Sequence, residues 1–195
     1  MTRTRAIILA AGTAVLSAAA VFQLRVSRAD AEKTPYSVVR RDGRFEVREY
    51  PELALATTPL HGDDDSAAFR RLFRFIEGSN ARQDKIAMTT PVIIDRWKTV
   101  PGTMSFVMPD RLRGAGRPEP VDGEVRLQTR PPRRVAVYRY AGRTSTRNER
   151  AATDRLREWV VVQGLAAEGE PEIAYYDAPY LIPFLRRNEV MLPLS

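Results

Sequence analysis

Side chains able to do covalent or redox chemistry are scarce. The 195 residues include one histidine, His61, and no cysteine, which removes thiolate nucleophiles, Cys–His pairs, cysteine-bound zinc and disulfides. No Gly-x-Ser-x-Gly, His-Glu-x-x-His, Walker-type or dinucleotide-binding loop occurs. A carboxylate pair such as Glu46 with Glu172 is the acid–base arrangement left open. His61 precedes Gly62 and the acids Asp63, Asp64 and Asp65, so it reads either as an iron ligand or as a surface imidazole beside carboxylates. Met88 reads either as a soft ligand or as core filling. The three acids resemble a metal cluster, yet they also suit the start of a helix, where carboxylates cap free amides and complement the dipole. Arg186-Arg187-Asn188 either binds an anion or fixes the last strand through backbone hydrogen bonds. An inventory this poor in catalytic groups points to binding.

Charge narrows the partners. The formal balance is +7, of which Arg3, Arg5, Arg25 and Arg28 against Asp30 supply +3 and the chain from residue 32 onward +4. In that body arginines alternate with acids and apolar residues, as in Arg40, Arg41, Arg44, Glu46, Arg48 and Glu49. Such mixing describes solvated strand faces, not a nucleic-acid surface. Residues 6–24 carry no charge and are flanked by arginines. This stretch predicts a signal peptide or membrane anchor over residues 1–31, with small-x-small sites at Ala18–Ala20 and Ala29–Ala31. The folded body is then expected from Lys33 to residue 195, outside the cytoplasm, in the periplasm of a bacterial host, exported or tethered to the inner membrane.

The elements that must position any site follow from periodicity. Alternation over Tyr36–Arg40, Phe45–Tyr50 and Leu53–Leu60 predicts half-buried antiparallel strands, with Asp42-Gly43 turning the first hairpin. A helix follows, with Phe69, Leu72, Phe73 and Ile76 on one face and Gly78 at its end. Pro91–Trp97 and Met104–Met108 read as further strands. The order then recurs: strands Val125–Thr129 and Val135–Tyr140, a helix over Thr146–Gln163 with Ala152, Leu156, Trp159 and Val160 on one face, and strands Ile173–Asp177 and Asn188–Leu192. Phe45 and Val125 are 80 residues apart, Ala54 and Val135 81, Met108-Pro109 and Leu192-Pro193 84. The spacing predicts a duplicated strand-strand-helix-strand-strand unit, an α+β fold in which two sheets join into a curved or barrel-like body.

Four runs, in order, resemble the SOUL or heme-binding protein family: Phe45-Glu46-Val47-Arg48-Glu49-Tyr50-Pro51, Phe75-Ile76-Glu77-Gly78-Ser79-Asn80, Lys85-Ile86-Ala87-Met88-Thr89-Thr90-Pro91-Val92 and Arg186-Arg187-Asn188-Glu189-Val190. The similarity extends from about Tyr36 to Leu194. It implies a distorted antiparallel β-barrel of two pseudo-symmetric halves with two main helices, binding heme or a related tetrapyrrole without catalysis, for storage, transport or buffering. A porphyrin needs an apolar wall and cations for its propionates. On the resemblance, Phe69, Leu72, Phe73, Tyr180, Leu181 and Phe184 would supply the wall and Arg74 a propionate partner. The loop before the last strand departs from the family's basic pattern, since Leu181-Ile182-Pro183 stands there. The same duplicated unit also builds small-molecule effector-binding and hydrolase-type domains, which are the alternative.

Overall fold

A hairpin starts the main sheet: β2 (Ser37–Asp42) and β3 (Phe45–Tyr50) pair antiparallel across Gly43, whose φ of +56° costs a residue without Cβ nothing. The computed structural model describes residues 31–62, 65–97, 101–114 and 116–195. The leader expected over residues 1–31 lies almost wholly outside them, as do Asp63 and Asp64. Among the described residues no helix is long and apolar enough to cross a membrane. Before β2 comes a two-residue strand, β1 (Glu32–Lys33), lying parallel to β5 (Thr89–Thr90).

The remaining strands are β4 (Leu53–Pro59), β6 (Val92–Asp95), β7 (Thr103–Val107), β8 (Arg126–Arg130), β9 (Arg133–Tyr140), β10 (Glu172–Tyr175) and β11 (Asn188–Leu194). With β2 and β3 they form one antiparallel sheet in the order β2-β3-β9-β11-β10-β6-β7-β4-β8. If β3, β4, β6 and β7 are matched to β8, β9, β10 and β11, the order from β3 to β8 reads the same from both ends about the β6–β10 pair. The first strand of each half is exchanged: β3 pairs with β9 of the second half, and β8 with β4 of the first.

This exchange forces the sheet to curl. Only Pro51 and Glu52 join β3 to β4, and only Pro131 and Pro132 join β8 to β9. Each pair of residues connects strands near opposite ends of the sheet order, and so short a link spans roughly 11 Å at 3.8 Å per residue step. The two ends of the sheet must therefore face each other. The product is a distorted half-barrel with two helices, the α+β architecture expected from the duplication.

Both helices pack on the outer face. α1 (Asp65–Ile76) buries Ala68, Leu72, Phe75 and Ile76, and α2 (Thr146–Val162) buries Ala152, Leu156, Trp159 and Val160 at positions 84 residues later. Each fully buried large apolar side chain stabilises the fold by about 1.5–3 kcal/mol. Ser145 caps α2 through its hydroxyl, which accepts from the Asn148 amide. Phe45 stacks on Trp159 with ring centroids 5.0 Å apart, and the indole N–H donates to Asp42, tying the β2–β3 hairpin to α2. A second core lies inside the curl, formed by Tyr50, Leu53, Leu55, Ile93, Val107, Val135, Val137, Ala174 and Met191. One expectation shifts: α1 is rotated so that Ala68 and Phe75 point inward, while Phe69 and Phe73 come to its flank, 37% and 43% exposed. Ala68 has the small side chain that lets the helix approach β4 and β7 closely.

Candidate functional site

The helices meet at their N-terminal turns over the β6–β10 pair. Arg96, just after β6, forks both oxygens of Asp65 in α1 at 2.9 and 2.5 Å, and its Nε donates to Glu149 in α2 at 3.2 Å. Asp65 and Glu149 are themselves 84 residues apart, so a pair of equivalent carboxylates grips one guanidinium near the pseudo-two-fold axis. Glu149 is fully buried and also accepts from the Tyr175 hydroxyl at 2.5 Å. Burial first, and then the Glu149 charge, raise the Tyr175 phenol well above its ordinary range, so it stays protonated and donates. The hydroxyls of Tyr140 and Thr153 are buried near this point without a hydrogen-bond partner, and burial likewise raises Tyr140.

From Asp65 the helical stripe continues one and two turns on, through Phe69 and Phe73. Their rings stack at 6.0 Å, and Phe69 meets Phe106 of β7 edge-on at 5.3 Å. Phe106 pairs with Val92 and Val92 with Tyr175, so this aromatic ledge stands two strands, about 10 Å, from the column where the chain leaves β10. That exit begins the loop carrying Tyr180, Leu181 and Phe184. Leu181 is fully buried, whereas Tyr180 and Phe184 are each 73% exposed. Pro183 accepts from the Gly142 amide, which holds the loop beside the start of α2.

The residues expected to form the wall thus occupy two levels. Phe69, Phe73, Tyr180 and Phe184 are open to solvent on either side of the β6–β10 end, while Leu72 and Leu181 lie beneath them in the packed interior. Arg74 projects from the other flank of α1, where its guanidinium lies 3.9 Å from Asp122. The ledge is an open surface. A small hollow lies elsewhere, lined by Thr34, Leu53, Thr89, Val107 and Met108 among others; its volume of about 10 Å³ is far below the roughly 300–1,000 Å³ of pockets for drug-sized ligands.

Other sequence candidates resolve locally. His61 is exposed and its Nε2 hydrogen-bonds with Glu124 at 2.6 Å, alongside Arg71. Met88 packs against the outer core. Glu46 sits with Arg41 and Arg48, and Glu172 with Arg130 and Arg133, so the two carboxylates belong to separate clusters. Arg187 and Asn188 hold the start of β11, through Glu189 and the Gly142 carbonyl respectively. Among the described residues no group of three or more His, Cys, Asp or Glu side chains is placed to hold a metal ion.

A second polar centre, unforeseen in the sequence, lies inside the curl. Arg48 forks Glu189 at 2.7 and 2.9 Å, with both side chains buried, and Arg187 donates to the same carboxylate. The Arg48 guanidinium stacks 4.2 Å over Tyr36, and that of Arg187 3.8 Å over Tyr176. Alternation along β3 and β11 could have placed Arg48 and Glu189 on one face, but their pairing needed the strand exchange.

Comparison with known proteins bears on this geometry. The model of the SOUL heme-binding protein family matches residues 31–193. The chain belongs to the SOUL family. No curated protein sequence matches significantly. Among solved structures, this SOUL domain resembles the EcmrR C-terminal domain (TM-score 0.55, 15% identity, 82% of this chain and 98% of that one). It also resembles an uncharacterized conserved protein from Listeria innocua (TM-score 0.57, 14% identity, 78% and 92%) and a hydrolase from Listeria innocua (TM-score 0.53, 14% identity, 80% and 94%). At these identities the likeness is one of fold.

Proposed function

We propose that the chain binds heme or a related tetrapyrrole against the aromatic ledge of α1, for storage, transport or buffering, without catalysis. The observation that carries this is the exposed, mutually stacked pair Phe69 and Phe73 on a SOUL domain. Large rings left open to water beside a rigid sheet offer a flat apolar guest a stacking surface at little ordering cost. Phe69 and Phe73 would cover one face of the macrocycle, Tyr180 and Phe184 would close the side toward β10, and Leu72 and Leu181 would back both from below. Exposed arginines at the rim, Arg70 on α1 and Arg147 and Arg150 on α2, would meet the propionates, whereas Arg74, on the other flank of α1 beside Asp122, would reach one only by leaving that carboxylate. Bound tetrapyrrole would supply colour and, with iron, redox capacity.

Titrating the purified protein with hemin tests the proposal: the Soret band should shift and saturate at one equivalent. Phe73→Ala should weaken binding by a few-fold to about tenfold, the worth of one aromatic contact of roughly 0.5–1.5 kcal/mol. Because Phe73 is half-exposed, thermal stability should hardly change. No saturable shift would end this reading.

A second reading, binding of a small-molecule effector, rests on the buried Glu149 beside Tyr175 and Tyr140. Glu149 accepts from Arg96 and from the Tyr175 hydroxyl, a buried acceptor that a small effector's donor group would share. Saturable binding of a small polar effector, with no response to hemin, would select it. Residues 1–31 are proposed to export or tether the domain outside the cytoplasm, and the mass of the mature N-terminus checks that.

A further inference from the structure

The most exposed aromatic side chains among the described residues stand on one loop, between β10 and β11: Tyr180 and Phe184, each 73% exposed. Leu181 between them is fully buried, and the backbone around it is fastened. Arg186 donates to the carbonyls of Pro179 and Leu181, the latter at 2.7 Å, and the Gly142 amide donates to Pro183 at 3.0 Å. Asp177 accepts from the Arg187 amide and closes the base of the loop. A loop held at its backbone in this way cannot collapse over its own rings, so both stay in water until something else covers them. Exposed Arg143 and Arg147 stand beside it, before and in the first turn of α2. Aromatic rings flanked by arginines are the composition that settles at a water–lipid boundary.

Where the chain enters the fold says what the cover is. Residues 6–24 are uncharged, and the seven residues 25–31 separate them from β1. Seven residues reach at most about 25 Å, less than the roughly 40 Å diameter of a domain this size. A leader held in a bilayer therefore keeps the β1 end of the molecule next to the lipid. β1 lies along Thr89–Thr90, Thr90 is two residues before Val92, and Val92 pairs with Tyr175 at the end of β10. By that path the entering chain and the base of the loop are about 16 Å apart. Arg187, at the other base of the loop, donates to the Tyr36 hydroxyl of the entering chain at 3.1 Å. Tether and exposed rings thus share one end of the molecule.

Resting on the reading that residues 1–31 tether the domain, we propose that the β10–β11 loop docks on the bilayer surface, with Tyr180 and Phe184 inserted at the level of the headgroups. Arg143 and Arg147 then face lipid phosphates. The loop flanks the β10 side of the ledge, so docking sets that side against the phase in which a lipophilic guest dissolves.

The chain has no cysteine, so a single introduced one carries a nitroxide label without competition. The full chain is reconstituted in vesicles of phosphatidylcholine and phosphatidylglycerol, labelled in turn through Leu16→Cys, Ile182→Cys and Val162→Cys, the last 74% exposed at the far end of α2. Ile182 lies between the two rings and its replacement leaves both in place. The Leu16 and Ile182 labels should collide with oxygen and be shielded from a water-soluble nickel complex, and the Val162 label should show the reverse. Tyr180→Ser combined with Phe184→Ser should return the Ile182 label to water, with circular dichroism unchanged. An Ile182 label in water while the Leu16 label is in the bilayer would overturn docking and leave the tether standing. A Leu16 label in water would overturn both. Shielding of the Ile182 label from oxygen and nickel alike would mean contact with a second copy of the chain and overturn the lipid assignment. Shielding that survives the double substitution would overturn the role of the rings.

Discussion

Glu189 is a carboxylate with no access to water, and burial alone would push its proton affinity up. The hydrogen bonds and charges of Arg48 and Arg187 outweigh that and hold it below the ordinary value of 4.5. Its contribution to stability is therefore complete above that value and is lost as pH falls through the depressed folded value. Glu189→Gln should destabilise the domain at neutral pH by about 3–5 kcal/mol, because the buried Arg48 and the half-buried Arg187 lose the carboxylate charge they share. The gap from wild type should narrow in acid, as chemical denaturation at stepped pH would show. A constant gap would mean that the carboxylate titrates normally. The sequence announced this residue only as part of the run ending Arg186-Arg187-Asn188-Glu189-Val190. Side-chain types and alternation said which face each residue takes, and nothing local said that β3 would find β11's neighbour.

At the scale of elements, periodicity located every long strand and both helices to within a residue or two. The two-residue strands β1 and β5 carry no periodic signal and were not anticipated. The face of α1 was misjudged by one stripe, since Phe69, Leu72, Phe73 and Ile76 satisfy helical spacing as well as Ala68, Leu72, Phe75 and Ile76 do. Hydrophobicity favoured the phenylalanines, whereas close packing on β4 and β7 chose the alanine. That rotation is what leaves aromatic rings available for a guest. The exchange of β3 and β8 was also invisible, because a strand's own sequence does not name its partner. A consequence is measurable: fragments 31–113 and 117–195 should each remain largely unstructured alone, since each lacks an inner neighbour supplied by the other. Mixing them should restore strand signal in circular dichroism at a one-to-one ratio. Independent folding of either fragment would contradict the exchanged pairing.

The whole molecule inherits cooperativity from the same topology. With both cores crossing the duplication, no boundary exists along which one half could melt first. Thermal unfolding of a Trp97→Phe variant followed by the fluorescence of Trp159, the tryptophan then left, which reports on α2 and β3, should coincide with far-ultraviolet dichroism in one transition. Two separated transitions would show that the halves are only loosely coupled. The sequence did convey the overall plan, because 80- to 84-residue spacings and four family-like runs extend across the domain. It could not show that the aromatic ledge is open instead of enclosed, a property set by helix rotation and by how far the β10–β11 loop reaches.

Arg96 gives that ledge an adjustable dimension. One planar fork spans the mouths of two helices that are otherwise seated on different strands, so its length acts as a calliper on their separation. A lysine there, gripping at a single point, would relax the jaw without touching any ring. If the ledge binds a macrocycle as proposed, the breadth it accepts would then be set from a position that no guest contacts.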